Sequence, residues 1–216
     1  MKIEVLTEDR SSAVMIKNLI RKIIKSRPID CPIYVRPHRG RGDFPLNLSK
    51  RPDPNTASLL DLLPAKLRAY DKIYAGTDLI LIVLMDADYH APELLSDQLK
   101  SICNKYAPGV RSIIGLCVEE TEAWLLGDTQ AILEAYPEAD QTLLNEYIQD
   151  SVCGTWEVLC RAILKNHAER VIRIGYPAIG QYKNEWASRI SDFMSPEINQ
   201  SPSFLKFREA LLAAGK

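Results

Sequence analysis

The chain is predicted to fold as an α/β protein: an open, mainly parallel four-stranded sheet flanked by helices, with a helical C-terminal extension. Three observations predict this. Residues 79–88, LILIVLMDAD, place seven consecutive apolar residues before two carboxylates. A continuous Leu/Ile/Val run of this length is the pattern of a strand buried on both faces, as strands of parallel sheets are. From Lys2 to Val118 strand-like and helix-like patterns alternate, and such alternation requires crossovers between parallel strands. Beyond Tyr136 the strand patterning fades and only helical periodicity remains. Residues 1–135 are therefore read as an α/β core and residues 136–216 as a helical extension packed on it.

Taken in order, residues 2–7 form a short strand, followed directly by Glu8 and Asp9. Val14, Met15, Ile16, Leu19, Ile20, Ile23 and Ile24 then recur at helical spacing over 11–25. Arg21, Lys22 and Lys25 lie in the last turn, where they complement the helix dipole. Pro28 ends this helix. A second strand over 31–35 leads into a loop rich in Arg, Gly and Pro that runs to the region of Asn55. Asn55 or Thr56 is a candidate cap for a helix reaching Tyr74, with Pro64 a strain on its middle unless a break falls there. After the apolar strand comes a helix over 91–106, with Pro92 at a tolerated early position. A strand over 112–118 follows, then a helix-like stretch over 121–135. Residues 141–150, 156–165, 184–194 and 203–214 also read as helices. Trp124, Trp156 and Trp186 sit in apolar-periodic contexts and are read as packing anchors. Ser201 does not follow a nucleophile-elbow pattern; it reads as a helix cap leading into Phe204, Phe207 and Leu211.

Composition narrows the functional classes. With 27 Lys+Arg against 28 Asp+Glu and a net charge of −1, the overall field neither favours nor opposes a polyanionic partner, so any such case rests on local patches. The five cysteines show no C-x-x-C spacing, which argues against a zinc module or a disulfide framework. No apolar stretch reaches membrane-spanning length, and the N-terminal run lacks the apolar region of a signal peptide. The expectation is a cytoplasmic protein with no membrane partner.

The chemistry-bearing residues fall at strand ends. Glu8 follows the first strand, Asp86 and Asp88 the third, and Glu120 and Glu122 the fourth. In a parallel sheet these carboxyl ends share one edge, where ligand crevices form. Asp86 and Asp88 are two residues apart, and on extended backbone such residues point the same way. Both can then reach one hard cation such as Mg²⁺. Carboxylates gathered this closely raise one another's pKa values unless a cation or a shared proton intervenes. Other readings stay open: Asp86 as a turn cap, Asp88 as a solvated acid, and Glu8, Glu120 and Glu122 as acids complementing helix N-termini. The loop over 34–51 carries Arg36, His38, Arg39, Arg41, Lys50 and Arg51 against the single acid Asp43. Gly40 and Gly42 allow close backbone approach to a ligand, and guanidinium groups hold phosphates in a bidentate manner. Arg36, Arg39, Arg41, Lys50 and Arg51 are thus candidate nucleic-acid contacts, although a solvated loop has the same composition. His90 suits an acid, base or water-positioning role, and equally a surface turn.

A Glu after the first strand, an Asp-x-Asp after the third and the crossover order resemble the TOPRIM (topoisomerase-primase) fold of topoisomerases, bacterial primases, small nucleases and overcoming-lysogenization-defect nucleases. Glu120-Thr-Glu122-Ala-Trp124-Leu-Leu-Gly-Asp128 and Asn199-Gln-Ser201-Pro-Ser203-Phe204-Leu-Lys-Phe207 are similar to motifs of a bacterial TOPRIM-related domain-of-unknown-function family, often found near phage-defence or mobile genes. The resemblance covers nearly the whole chain. It implies Glu8 as general acid or base, Asp86 and Asp88 as ligands of Mg²⁺ or Mn²⁺, and Glu120 or Glu122 completing an acidic site. Many TOPRIM proteins have Glu-Gly after the first strand, whereas here Asp9 follows Glu8. The expected activity is metal-dependent hydrolysis of phosphodiester bonds in DNA or RNA, in a setting of phage or plasmid defence that would bring a protein partner. No tyrosine nucleophile is assignable, which favours hydrolysis over strand passage. The alternatives are a non-catalytic or partner-activated nucleic-acid-binding module, and a nucleotide-sugar glycosyltransferase built on the Asp-x-Asp motif.

Overall fold

In the computed structural model, which describes residues 1–25 and 31–215, the predicted strands assemble into one parallel sheet; Pro28, expected to end the first helix, lies outside the described residues. The strands are β1 (Lys2–Thr7), β2 (Ile33–Pro37), β3 (Leu79–Asp86) and β4 (Arg111–Cys117), in the order β2-β1-β3-β4. Every neighbouring pair is parallel, with Ile3 opposite both Ile33 and Ile80 and Ile82 opposite Ile113. All eight residues of β3 are buried, because a central strand covered on both faces has no solvent-facing side to make polar.

Three crossover helices follow from the strand order: α1 (Arg10–Ile24), α2 (Leu59–Tyr74) and α3 (Pro92–Tyr106). α1 covers one face through Met15, Ile16, Leu19 and Ile20, packed on Ile3, Val5, Ile80 and Ile82. α2 and α3 cover the other, with Leu59, Leu63, Leu95 and Leu99 against Leu6, Leu81 and Val83. The chain leaves β1 toward β2 on one side and returns past it to β3 on the other. This reversal falls at the carboxyl ends of β1 and β3, the place where open α/β sheets bind ligands.

The remaining helices are α4 (Glu122–Leu126), α5 (Thr129–Ala135), α6 (Gln141–Glu146), α7 (Thr155–Leu164), α8 (Ala168–Ile174), α9 (Ala178–Phe193) and α10 (Pro202–Ala214), with a 3₁₀ turn at Lys165–His167. They join the α1 side of the sheet in one continuous apolar cluster that includes Trp124, Trp186, Phe204 and Phe207. Among the described residues no helix is long and apolar enough to cross a membrane.

Several boundaries differ from the sequence expectation, each for a local reason. The stretch over 121–135 is two helices, because Asp128 caps α5 through the Ala131 amide (3.0 Å) and also accepts from the Ser195 amide (2.7 Å). Gly127, at the break, lies so close to Asn199 that a β-carbon has no room. α2 begins after Ser58 and runs through the buried Pro64 without a break. Leu59, Leu60, Leu63 and Leu67 are buried along it, and this burial offsets the backbone bond that proline cannot make. β2 lies at Ile33–Pro37 rather than 31–35 because it is an edge strand of mixed exposure whose extent is set by pairing with β1. α8, with two buried residues, is too short to show a helical period.

The two motif segments that carried the family resemblance pack on each other. Trp124 stacks edge-on against Phe204 at 5.3 Å and lies 5.2 Å from Phe207, while its indole N–H donates to Ser203 Oγ at 2.8 Å. Asn199 Nδ2 donates to the Trp124 carbonyl (2.8 Å), and the Gln200 amide to the Gly127 carbonyl (2.8 Å). Ser201 caps α10 by accepting from the Phe204 amide at 3.2 Å.

Candidate functional site

At the start of α1, Asp9 is the cap: its Oδ1 accepts from the Ser12 amide (2.8 Å) and its Oδ2 from the Ser11 hydroxyl (2.9 Å). The helix-terminal duty that the sequence left open to Glu8 is thereby filled by its neighbour, and the Glu8 carboxyl interacts instead with the carboxyl and backbone of Asp86 at the end of β3. Glu8 Oε2 is buried without a hydrogen-bond partner among the described residues. Burial, reinforced by the charges of Asp9 and Asp88, pushes Glu8 up to about 7. Asp86, itself buried, is raised well above the usual carboxylate range by desolvation and then by Glu8. Its Oδ1 accepts from the Thr121 hydroxyl at 2.8 Å, and Thr121 Oγ1 lies 2.9 Å from Ser12 Oγ. With the Thr121 proton committed to Asp86, Ser12 donates to Thr121, so a buried hydroxyl relay from α1 orients the carboxylate.

Asp86 and Asp88 do not project together as extended geometry would have them. β3 ends at Asp86 and Asp88 adopts φ +48°, which takes it off the strand. Its amide donates to the Glu119 carbonyl (2.9 Å), and its half-exposed carboxylate pairs with Arg41 Nη1 at 2.9 Å. Arg41 Nη1 also lies 2.9 Å from His90 Nδ1, which seats His90 at the rim.

The glutamates after β4 split their duties. Glu119 accepts from the amides of Cys153 (3.1 Å), Gly154 (2.9 Å) and Thr155 (2.9 Å), and from the Thr155 hydroxyl. Burial alone would raise its pKa, but these donors hold it below the ordinary value. It is an anchor for the start of α7. Glu122 is fully buried, and among the described residues no neutral side chain donates to its oxygens. Its counter-charge is Lys183 of α9, whose Nζ lies 3.1 Å from Glu122 Oε2 and 3.5 Å from Glu120 Oε1. Glu120 Oε2 accepts from the Trp156 amide at 3.3 Å. Desolvation pushes Glu120 up to about 7 and also raises Glu122, against the opposing pull of Lys183. Burial by itself would lower Lys183, but Glu122, Glu120 and Asp86 together raise it. A cleft of about 320 Å³ lined by Asp9, Ser11, Tyr176 and Lys183 opens beside this cluster.

The basic loop is divided. Its first part is stitched to the end of β1, with the His38 amide on the Thr7 carbonyl (2.9 Å) and the Gly40 amide on the Glu8 carbonyl (2.8 Å). Arg41 therefore reaches the site, while Arg39, between the two bonds, puts its own amide on the Ala57 carbonyl (2.9 Å) and leaves its side chain exposed. Arg36 does not: it pairs with Glu4 at 2.9 Å, beside Lys2 and away from the carboxylates at the strand ends. Lys50 and Arg51 line a separate cleft of about 740 Å³ among Pro45, Pro52 and Pro54.

Of the predicted site residues, the fold brings Glu8 and Asp86 into contact and places Glu122 close enough to act on Asp86 electrostatically. Asp88 and Glu120 turn to Arg41 and Lys183. Among the described residues no three His, Cys, Asp or Glu side chains are grouped to hold one ion. Lys183, Thr121, Ser12 and Glu119 escaped the sequence reading. Lys183 had a detectable signal, since it falls on the buried stripe Ile179, Lys183, Trp186, Ala187, Ile190 of α9, but the predicted helix began one residue after it. Comparison with protein-family models, curated proteins and solved structures finds no match to this chain.

The Glu8–Asp86 pair predicts how stability depends on pH. A carboxyl whose pKa is raised on folding contributes stability that is complete below its unfolded value and lost as pH rises through the folded value. Between the unfolded carboxylate value of about 4.3 and about 7, the wild type should therefore lose stability relative to Glu8→Gln, by on the order of 3 kcal/mol. Urea denaturation of both proteins across this window reads the difference. Parallel pH profiles would remove Glu8 as its source.

Proposed function

We propose that this protein hydrolyses phosphodiester bonds of DNA or RNA with the help of Mg²⁺ or Mn²⁺. The observation that carries the reading is the meeting of Glu8 and Asp86 at the reversal point of the sheet, with a buried Glu8 oxygen left without a partner among the described residues. A donor set made wholly of carboxylate oxygens suits a hard divalent cation, and an ion there would offset the desolvation that raises the proton affinity of the pair. Glu8 and Asp86 would hold it, with Asp88 adjoining at the rim. When bound, the ion would neutralise phosphate charge and lower the pKa of an attacking water.

The chain's own groups supply the rest. Thr121 and Ser12 keep Asp86 in one orientation. Glu8, in contact with Asp86, is placed to exchange a proton with the attacking water. Arg41, already bonded to Asp88, and Arg39 offer guanidinium groups for the phosphate backbone, which would make binding weaken with salt. A TOPRIM-related nuclease is the class that fits these parts. A second reading, a charge-balanced binding module without catalysis, is favoured by Lys183 and Arg41, which already pair with Glu120, Glu122 and Asp88.

Cleavage of end-labelled single-stranded DNA, duplex DNA and structured RNA in millimolar Mg²⁺ or Mn²⁺ separates the two. Metal-dependent cutting is expected, reduced about 10²–10⁴-fold by Glu8→Gln and lost in Asp86→Asn. Absence of cutting by the folded protein on every substrate, with salt-sensitive binding retained, would support the module instead.

A further inference from the structure

Among the described residues β4 pairs with β3 on one side only and forms an edge of the sheet. The Cys117 carbonyl accepts from the Ala87 amide on the β3 side, so by the two-residue alternation of a strand Ser112, Ile114 and Leu116 turn their amides and carbonyls to the open side. An edge of this kind is a template for one more strand. Natural edges are commonly blunted by a covering helix or loop. Here α3 lies on one face and α10 on the other, and the space between them along β4 is open.

Two clefts occupy that space. One, of about 180 Å³, is lined by Ser96, Ile114, Leu116, Val118, Lys206 and Phe207 among others. The other, of about 470 Å³, continues past Ser96, Ile114 and Lys206 toward Lys100 and Arg111. The shared residues make them one groove running the length of the strand, with an apolar floor on which alternate side chains of an extended peptide can seat. The charge of the larger cleft is one-sided: Lys100, Arg111 and Lys206 line it, and among the described residues no carboxylate does. Lys206 lines both clefts and has no ion-pair partner among the described residues. Arg111 reaches across to the Ala214 carbonyl, which carries no charge to offset its own, whereas Lys100 is paired with Asp97 at 3.4 Å on the same helix. The two acids of the groove, Glu93 and Asp150, line only the smaller cleft, where Asp150 accepts from the Ser201 hydroxyl and the Ser203 amide at 2.7 Å each.

We propose that the β4 edge is a docking site for an extended, acidic segment of a partner protein, which adds to the sheet as a fifth strand. Main-chain bonds to Ser112, Ile114 and Leu116 supply affinity, as in other strand additions. Lys100, Arg111 and Lys206 select acidic side chains over basic ones. The same positive charge disfavours a second copy of β4 as the occupant. This inference rests on the sheet edge and its groove, and stands whether or not the acidic site is catalytic.

The test uses the full-length protein and two libraries of eight-residue peptides. Both alternate Val, Ile or Thr with charged residues, Glu or Asp in one and Lys or Arg in the other. Hydrogen exchange of the free protein should show the amides of Ser112, Ile114 and Leu116 exchanging faster than those of Ile113, Gly115 and Cys117. The acidic library should bind at least about tenfold more tightly than the basic one, slow those three amides, and lose about tenfold in affinity with the exposed-site variant Lys206→Glu. N-methylation of alternate peptide nitrogens should abolish binding. Equal binding of both libraries, binding of neither, or three edge amides as slow as their neighbours in the free protein would overturn the proposal. Protection that grows with protein concentration alone would overturn it in favour of a second copy.

Discussion

Lys183→Met is expected to destabilise the protein by about 3–5 kcal/mol near neutral pH, the usual cost of removing one partner from a buried ion pair. The lysine sits almost wholly buried between Glu120 and Glu122, and methionine fills much of its volume without its charge. The deficit should depend on pH. Without Lys183 both glutamates are pushed further above their unfolded values. Protonation then relieves the variant below about 4.3, and the deficit grows as pH rises through the folded values. Adding Glu122→Gln to Lys183→Met should recover a large part of the loss, because the amide needs no counter-charge. Denaturation near pH 5 and near pH 8 of the single and double variants measures both effects. A deficit that is the same at both pH values, and not recovered in the double variant, would mean that the lysine acts by filling space alone.

The second large effect is at Trp124. Trp124→Ala should cost about 3–5 kcal/mol, the range for truncating a buried large aromatic, because the indole fills the junction of α4, α10 and the sheet against Phe204 and Phe207. Trp124→Phe keeps an aromatic ring there but gives up the bond to Ser203, and should cost about 1–2 kcal/mol. Urea denaturation with fluorescence of the remaining tryptophans reads both. An alanine variant as stable as wild type would show that α10 docks on the sheet independently of this residue. The same pair of substitutions tests the reading of the Glu-x-Glu-Ala-Trp and Ser-Pro-Ser-Phe segments as structural. Trp124→Ala disturbs stability first, whereas loss of Asp86 acts at the reversal point itself.

The edge of the candidate site was legible in the sequence, but its inner arrangement was not. Glu8, Asp86, Glu120 and Glu122 were identifiable because a strand pattern that stops at an acid marks a carboxyl end, and parallel strands bring such ends together. The expectation that Asp86 and Asp88 point the same way assumed that the strand continued to Asp88. It ends at Asp86, and the positive φ at Asp88 follows from the bond of its amide to Glu119, a residue from another strand end. The basic loop was recognisable as a unit, yet Arg36 differs from Arg41 because Glu4 of the neighbouring strand claims it.

By itself the sequence determined the parallel α/β order, the doubly buried strand β3, the amphipathic α1 and the positions of acids at strand ends. These are properties of patterns a few residues long: the two-residue and 3.6-residue periods, continuous apolar runs, and turn residues between them. Only the tertiary structure decided that Asp9 rather than Glu8 caps α1, that Lys183 of α9 enters the acid cluster, that Thr121 and Ser12 orient Asp86, and that the β4 edge stays open between α3 and α10. The reason is that charge compensation, desolvation and edge exposure depend on which elements become neighbours. That is set by strand order and helix packing, and residues far apart in the chain meet only when the whole core has formed.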